Sequence, residues 1–268
     1  MNETNRVLSD RDLLFLVKTL MPDCSDIQRM IRVLRDDSEI LEGMLSDDRL
    51  IRLLTENPNS IIRVSPTLFF TVLLNRVRQD LRHQQFTVET MQRHRAMVFD
   101  SSEVCEFIDH SDIRDYLADM LASFVRITSY SIPVRVRKGL WRKYRFSDFD
   151  INSLIKYSQM IEEGERYRPY KRIADICLFT LGVFPDFLLS TGERTGVRMR
   201  AVAQRSRQDI LHYGRYFYKI AARHHVARIQ ETEKTLQALS DNFILASKPL
   251  TLMVDRYLGS MKEELFLE

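Results

Sequence analysis

Over most of the chain, apolar residues recur every three or four positions, which is the spacing of helices that bury one face. Leu13, Leu14, Leu16, Val17 and Leu20 predict a first helix over 9–21, with Ser9 placed to accept its free N–H groups. Ile27, Met30, Ile31 and Leu34 predict a second, capped by Ser25. Ile40 to Leu54 predicts two short helices split near Ser46, followed by a loop at Asn57-Pro58-Asn59. Ser65-Pro66 is the clearest helix start, since serine caps and proline at the first position gives up no hydrogen bond. That helix is expected over 66–82, with a looser segment at 83–100. A short and a longer helix over 101–125 are expected to join near Asp109-His110-Ser111.

The period then changes from helical to two. Arg126 to Arg137 is β-branched and alternating, Lys138-Gly139 is a turn signal, and Leu140 to Phe146 alternates again. The pattern predicts one antiparallel β-ribbon, the only sheet, with Pro133 at an edge position. Helices resume at 151–162 behind Asp150 and in the apolar stretch that Pro169 opens. They continue after a Gly192–Gly196 loop over about 197–223, with Tyr213, Tyr216, Phe217 and Ile220 on the apolar side. Two more are expected at 226–247 and 249–265, with Pro249 forcing a break or kink. The predicted fold is mainly α, a multi-helix bundle of about ten helices with one small ribbon near 126–146. Its predicted parts are an N-terminal helical half (1–125), the basic ribbon (126–149) and a C-terminal helical half (150–268), within one continuous domain or several.

Composition supports this. With 8 glycines and 7 prolines in 268 residues, the chain lacks the turn residues of an all-β fold and the glycine loops of a parallel α/β nucleotide binder. Cys24, Cys105 and Cys177 are far apart and lie among apolar neighbours, so buried reduced thiols and a cytoplasmic setting are expected. The N-terminus has no secretory pattern, and the stretch 173–189 is broken by Asp175, Gly182, Pro185 and Asp186. No membrane partner is expected.

Charge changes the picture. Asp100 to Asp119 holds seven acids against one base, whereas Arg126 to Arg145 holds seven bases and no acid. A chain of net charge +3 is thus strongly polarised locally. The ribbon brings Arg135, Arg137, Lys138, Arg142, Lys143 and Arg145 beside Trp141 and Tyr144, and a second basic zone at 192–228 includes Arg194, Arg198, Arg205 and Arg215. Guanidinium groups engage anions bidentately and aromatic rings stack on bases. Three readings of the ribbon stand. It pairs internally with the acidic 100–119 face, or it docks an unknown protein partner or a second copy of the chain, or it binds nucleic acid.

Three segments together resemble uncharacterised bacterial all-helical proteins of unknown function: Leu8 to Phe15, Tyr170 to Phe179 with Gly182 and Phe184-Pro185, and Tyr213 to Tyr218. The resemblance implies a helical fold and transfers no activity or site.

Catalytic motifs are lacking. No Gly-x-Ser-x-Gly is present, and Gly192-Glu193-Arg194-Thr195-Gly196 lacks the Lys-Ser or Lys-Thr of a phosphate-binding loop. The cluster Glu103, Cys105, Glu106, Asp109, His110 and Asp112 has ligand-type residues without paired zinc spacing, and reads as an acidic face. No catalytic residue, metal ligand or cofactor is nominated. The reading is a non-enzymatic intracellular interaction or regulatory protein that uses the ribbon and the basic helix as contact surfaces. A nucleic-acid binder is the alternative, and an enzyme without a recognisable motif the third.

Overall fold

A computed structural model describes residues 8–56, 63–91, 94–125, 129–137, 140–188, 205–259 and 261–267. The Asn57-Pro58-Asn59 loop, the Lys138-Gly139 turn and the Gly192–Gly196 loop lie outside them. The chain is mainly α, with fourteen α-helices and two two-stranded hairpins among the described residues. It divides into two compact units, one of residues 1–87, 97–125 and 252–261, the other of 88–96, 126–251 and 262–268.

The first unit begins with α1 (Asp10–Leu20), α2 (Ile27–Asp36), α3 (Ser38–Leu45) and α4 (Asp48–Glu56). Ser9 caps α1 through a reciprocal box with Asp12, whereas α2 is capped by Asp26 rather than Ser25, since Asp26 accepts from Arg29 N–H. Helix α5 (Pro66–Arg82) starts at Ser65-Pro66 as predicted and carries the centre of this core. Its Leu68, Phe69, Phe70, Val72, Leu73, Leu74 and Val77 are all buried, so the helix is enclosed on several sides. Helices α6 (Ser101–Asp109) and α7 (Ser111–Val125) meet at His110 and add Ile108, Leu117, Leu121 and Phe124.

Asp12 is buried and holds two helix starts together. It accepts from Ser9 Oγ at 2.7 Å, from Ser65 N at 3.0 Å and from Ser65 Oγ at 2.9 Å. A buried carboxylate needs such donors, because desolvation without them is costly. Residues 252–261 contribute a single π-turn, Val254–Leu258, whose Tyr257 hydroxyl donates to Asp80.

The segment at 83–100 is not loose throughout. Strands β1 (Thr87–Met91) and β2 (His94–Val98) form a second hairpin, so the predicted ribbon is not the only sheet.

The second unit contains the predicted ribbon, β3 (Ser129–Arg137) paired antiparallel with β4 (Leu140–Ser147). Register places Arg135 opposite Trp141 and Val134 opposite Arg142, with an irregularity between Arg135 and Arg137. Cross-strand partners share a face. Positions 133, 135, 141, 143 and 145 therefore fall on one face, and 132, 134, 142, 144 and 146 on the other. Asp150 caps α8 (Ile151–Met160), and α9 (Tyr167–Val183) begins two residues before Pro169. Every residue of α9 from Ile173 to Val183 is buried.

Helix α10 (Arg207–Ala222) begins well after the predicted 197, because Ser206 forms a capping box with Asp209. The predicted 226–247 helix is three, α11 (His225–Ile229), α12 (Glu233–Asp241) and α13 (Phe243–Met253), with Glu231 at φ 57° in the first break. Pro249 lies inside α13 and does not end it. Burial of Phe243, Ala246, Leu250 and Met253 on that helix outweighs one lost backbone bond. The final helix is α14 (Met261–Leu267), whose Phe266 packs on Phe179 at a ring separation of 4.9 Å. Among the described residues no helix is long and apolar enough to cross a membrane.

Candidate functional site

Helix α10 is positioned by what its inner face meets. Gly214 lets it approach Phe243 so closely that a Cβ there would lie 2.1 Å from the ring. Tyr218 is fully buried and donates its hydroxyl to Asp175 at 2.8 Å, and Lys171 reaches the other oxygen of that carboxylate at 2.9 Å. At the helix start, Arg207 pairs with Glu89 at 2.6 Å, and the same carboxylate receives the buried Lys248 at 3.4 Å. These polar contacts fix the helix in rotation and height, although Arg207 Nε is buried without a partner among the described residues.

The outer face is different. Gln208, His212, Arg215, Tyr216, Lys219 and Arg223 are exposed, at spacings of three, four and seven that put them on one side. Tyr216 is 52% exposed, contrary to its expected place on the apolar side. Its ring stacks on His212 with 6.3 Å between centroids and 10° between planes. Beside these residues lies an open groove of about 600 Å³, whose far wall is Ser240 and Asp241 of α12. Ser240 Oγ donates to the Arg215 carbonyl oxygen at 2.9 Å and joins the two helices.

Among the described residues Arg215, Lys219 and Arg223 make no ion pair, whereas many of the chain's other cations are paired. Arg82 and Arg78 both reach Asp109 of the acidic segment, Arg114 pairs with Glu42, and Arg172 pairs with Asp148. Asp241, the acid in the groove, accepts both of its hydrogen bonds from Gln237 Nε2, at 3.0 and 2.9 Å.

The predicted basic residues part company here. Arg205 precedes α10 and is engaged internally, with its guanidinium 4.4 Å over the Tyr213 ring and a hydrogen bond to Asn152 Oδ1. Arg215 is on the open face. Arg135, Arg137, Trp141, Arg142, Lys143, Tyr144 and Arg145 are placed in β3 and β4 by backbone and register. Their side chains, together with Lys138, Arg194 and Arg198, lie outside the described residues. Sequence reasoning missed His212, Lys219, Gln208, Ser240 and Asp241. The signal for the first three was available, since 208, 212, 215 and 219 share a face once Ser206 is taken as the cap.

Other chemistry-bearing groups lie elsewhere. Cys177 is buried, and burial pushes its thiol upward, away from reactivity. Cys24 and Cys105 are only half-buried, which corrects the expectation of three buried thiols. Among the described residues no group of three or more His, Cys, Asp or Glu is arranged to hold a metal ion. No protein-family model, curated protein or solved structure matches this chain.

Proposed function

We propose that this protein is a non-enzymatic interaction protein that docks an acidic protein partner on the outer face of α10, with the basic ribbon as a second contact surface. The observation that carries the reading is the unpaired set Arg215, Lys219 and Arg223 around exposed Tyr216, at the edge of an open groove. Among the described residues Arg78, Arg114, Arg172, Arg207 and Lys248 each meet a carboxylate, so a cationic stripe left open is free to take charge from outside. An aromatic and an arginine flanked by further cations are also the residue types that anchor protein interfaces. Three free cysteines support an intracellular setting, the cytoplasm being the simplest.

One observation favours a second reading. The exposed Tyr216 ring, already stacked on His212 and flanked by Arg215 and Lys219, is also a platform of the kind single-stranded nucleic acid uses.

The test uses the full chain and its Arg215→Glu/Lys219→Glu variant. Fluorescence anisotropy follows binding of a Glu- and Leu-containing amphipathic helical peptide and, separately, of single-stranded DNA. Peptide binding by the wild type that weakens about tenfold or more in the variant supports the proposal. Tighter, steeply salt-dependent DNA binding that the same variant abolishes moves the conclusion to the second reading. Absence of both at low salt, or binding unchanged in the variant, overturns the assignment to α10.

A further inference from the structure

The first unit encloses a small polar cavity between α3, α5 and α7 that the interaction surface does not use. It has a volume of about 20 Å³, and its polar lining is Ser38, Glu42, Thr71, Asn75, Arg114 and Asp115. That is room for one water-sized group. Asn75 is 2% exposed; its amide N–H donates to the Thr71 carbonyl at 3.0 Å, but its Oδ1 has no donor among the described residues. A buried acceptor without a donor is costly, and among the groups lining the cavity with it is Asp115, a carboxyl that can donate when protonated.

Burial and three neighbouring carboxylates oppose the ionisation of Asp115, and Arg114 alone favours it. Facing it are Glu42 from α3, Asp112 and Asp119 from its own helix, and Arg114 beside it; Arg78 of α5 acts on Arg114 in turn. Arg114 is the one cation adjacent, and three of its five donors are engaged elsewhere. Its Nη1 donates to the carbonyls of Ile108 at 2.8 Å and Asp109 at 2.7 Å, and its Nη2 pairs with Glu42. Arg78 is directed to Glu42 at 3.5 Å and Asp109 at 3.9 Å. An ionised Asp115 would thus compete with Glu42 for a guanidinium that is itself desolvated.

We propose that Asp115 is a proton-controlled latch in this unit: as the neutral acid it donates across the cavity toward Asn75 Oδ1, and as the carboxylate it repels Glu42 and loosens α3 and α5 from α7. Burial, ahead of the neighbouring charges, pushes the Asp115 carboxyl up to about 7, so the latch works around neutral pH. The direction of the linkage follows. A carboxyl protonated in the folded state but ionised in the unfolded one favours folding at low pH, and that contribution is lost as pH rises from the unfolded value to the folded one.

The experiment is a carbon-13 titration of the Asp115 carboxyl in the full chain, with Asp115→Asn and Asn75→Ala as companions. A midpoint near neutrality is expected, and a midpoint near pH 4 overturns the latch. Asn75→Ala should move the midpoint toward acid, because it removes the acceptor that favours the neutral form. An unmoved midpoint removes the donation to Asn75. Denaturant unfolding then reads the coupling. Between about pH 5 and 7 the ratio of wild-type to Asp115→Asn unfolding constants should climb by up to about tenfold per pH unit. A ratio flat with pH overturns the coupling to the fold.

Discussion

Gly214 and Gly43 are both helical glycines, and their surroundings decide opposite outcomes for the same substitution. A methyl at Gly214 would sit 2.1, 2.4 and 2.8 Å from three atoms of the buried Phe243 ring. Gly214→Ala should therefore destabilise the protein by about 1–3 kcal/mol despite the better helix propensity of alanine. At Gly43, in α3, nothing lies within 4 Å of the added methyl, so Gly43→Ala should stabilise by about 0.5–1 kcal/mol. Urea titrations followed by circular dichroism measure both, and equal effects would contradict the close helix approach. Neither role was legible in the sequence, because both glycines stand in helical patterns and only the long-range partner separates them. Asp12 is a similar case. It reads as an ordinary first-turn acid, and its bond to Ser65 needs residues that are 53 apart to be neighbours.

At the scale of elements, local chemistry was legible where a cap announced it. Ser9, Ser65-Pro66 and Asp150 each mark a helix start that the structure repeats, and the break in period at 126 marks the ribbon. Boundaries slipped where a stronger local signal was passed over. Ser206 with Asp209 three residues later is a capping box, and it starts α10 about ten residues after the expected point. That shift matters for function, because Arg205 falls outside α10 and stacks on Tyr213, while the face from Gln208 to Arg223 becomes one stripe. The β1–β2 hairpin was missed because its strands are only five residues each, too short to show a clear alternation beside a polar connection. The break after α11 uses Glu231 at positive φ, where no glycine gave warning. Proline at 249 does not break α13, since a packed helix tolerates the loss of one bond when its burial is large.

For the whole molecule, the division into units has a testable consequence. The chain leaves and re-enters each unit, so a cut between residues 125 and 126 takes needed side chains from both products. Residues 126–268 would lose Glu89, the carboxylate that meets both Arg207 and Lys248. Residues 1–125 would lose Tyr257 and Arg256, both partners of Asp80. Each fragment thus loses a segment of its own unit together with part-buried pairs, and a marginal domain has little stability to spare. The two fragments expressed separately should show weak, non-cooperative thermal transitions by circular dichroism. Two sharp transitions would contradict the shared use of these segments. The candidate surface itself was half legible: a basic zone was visible in composition, but its sorting into engaged and open cations required the packing of α10.

The most direct measurement is amide chemical-shift mapping on the isotope-labelled full chain, titrated with the acidic amphipathic peptide. The account predicts saturable shifts clustered at Gln208, His212, Arg215, Tyr216 and Lys219, extending to Ser240 and Asp241. Shifts scattered over the molecule, or clustered elsewhere with α10 silent, would contradict it.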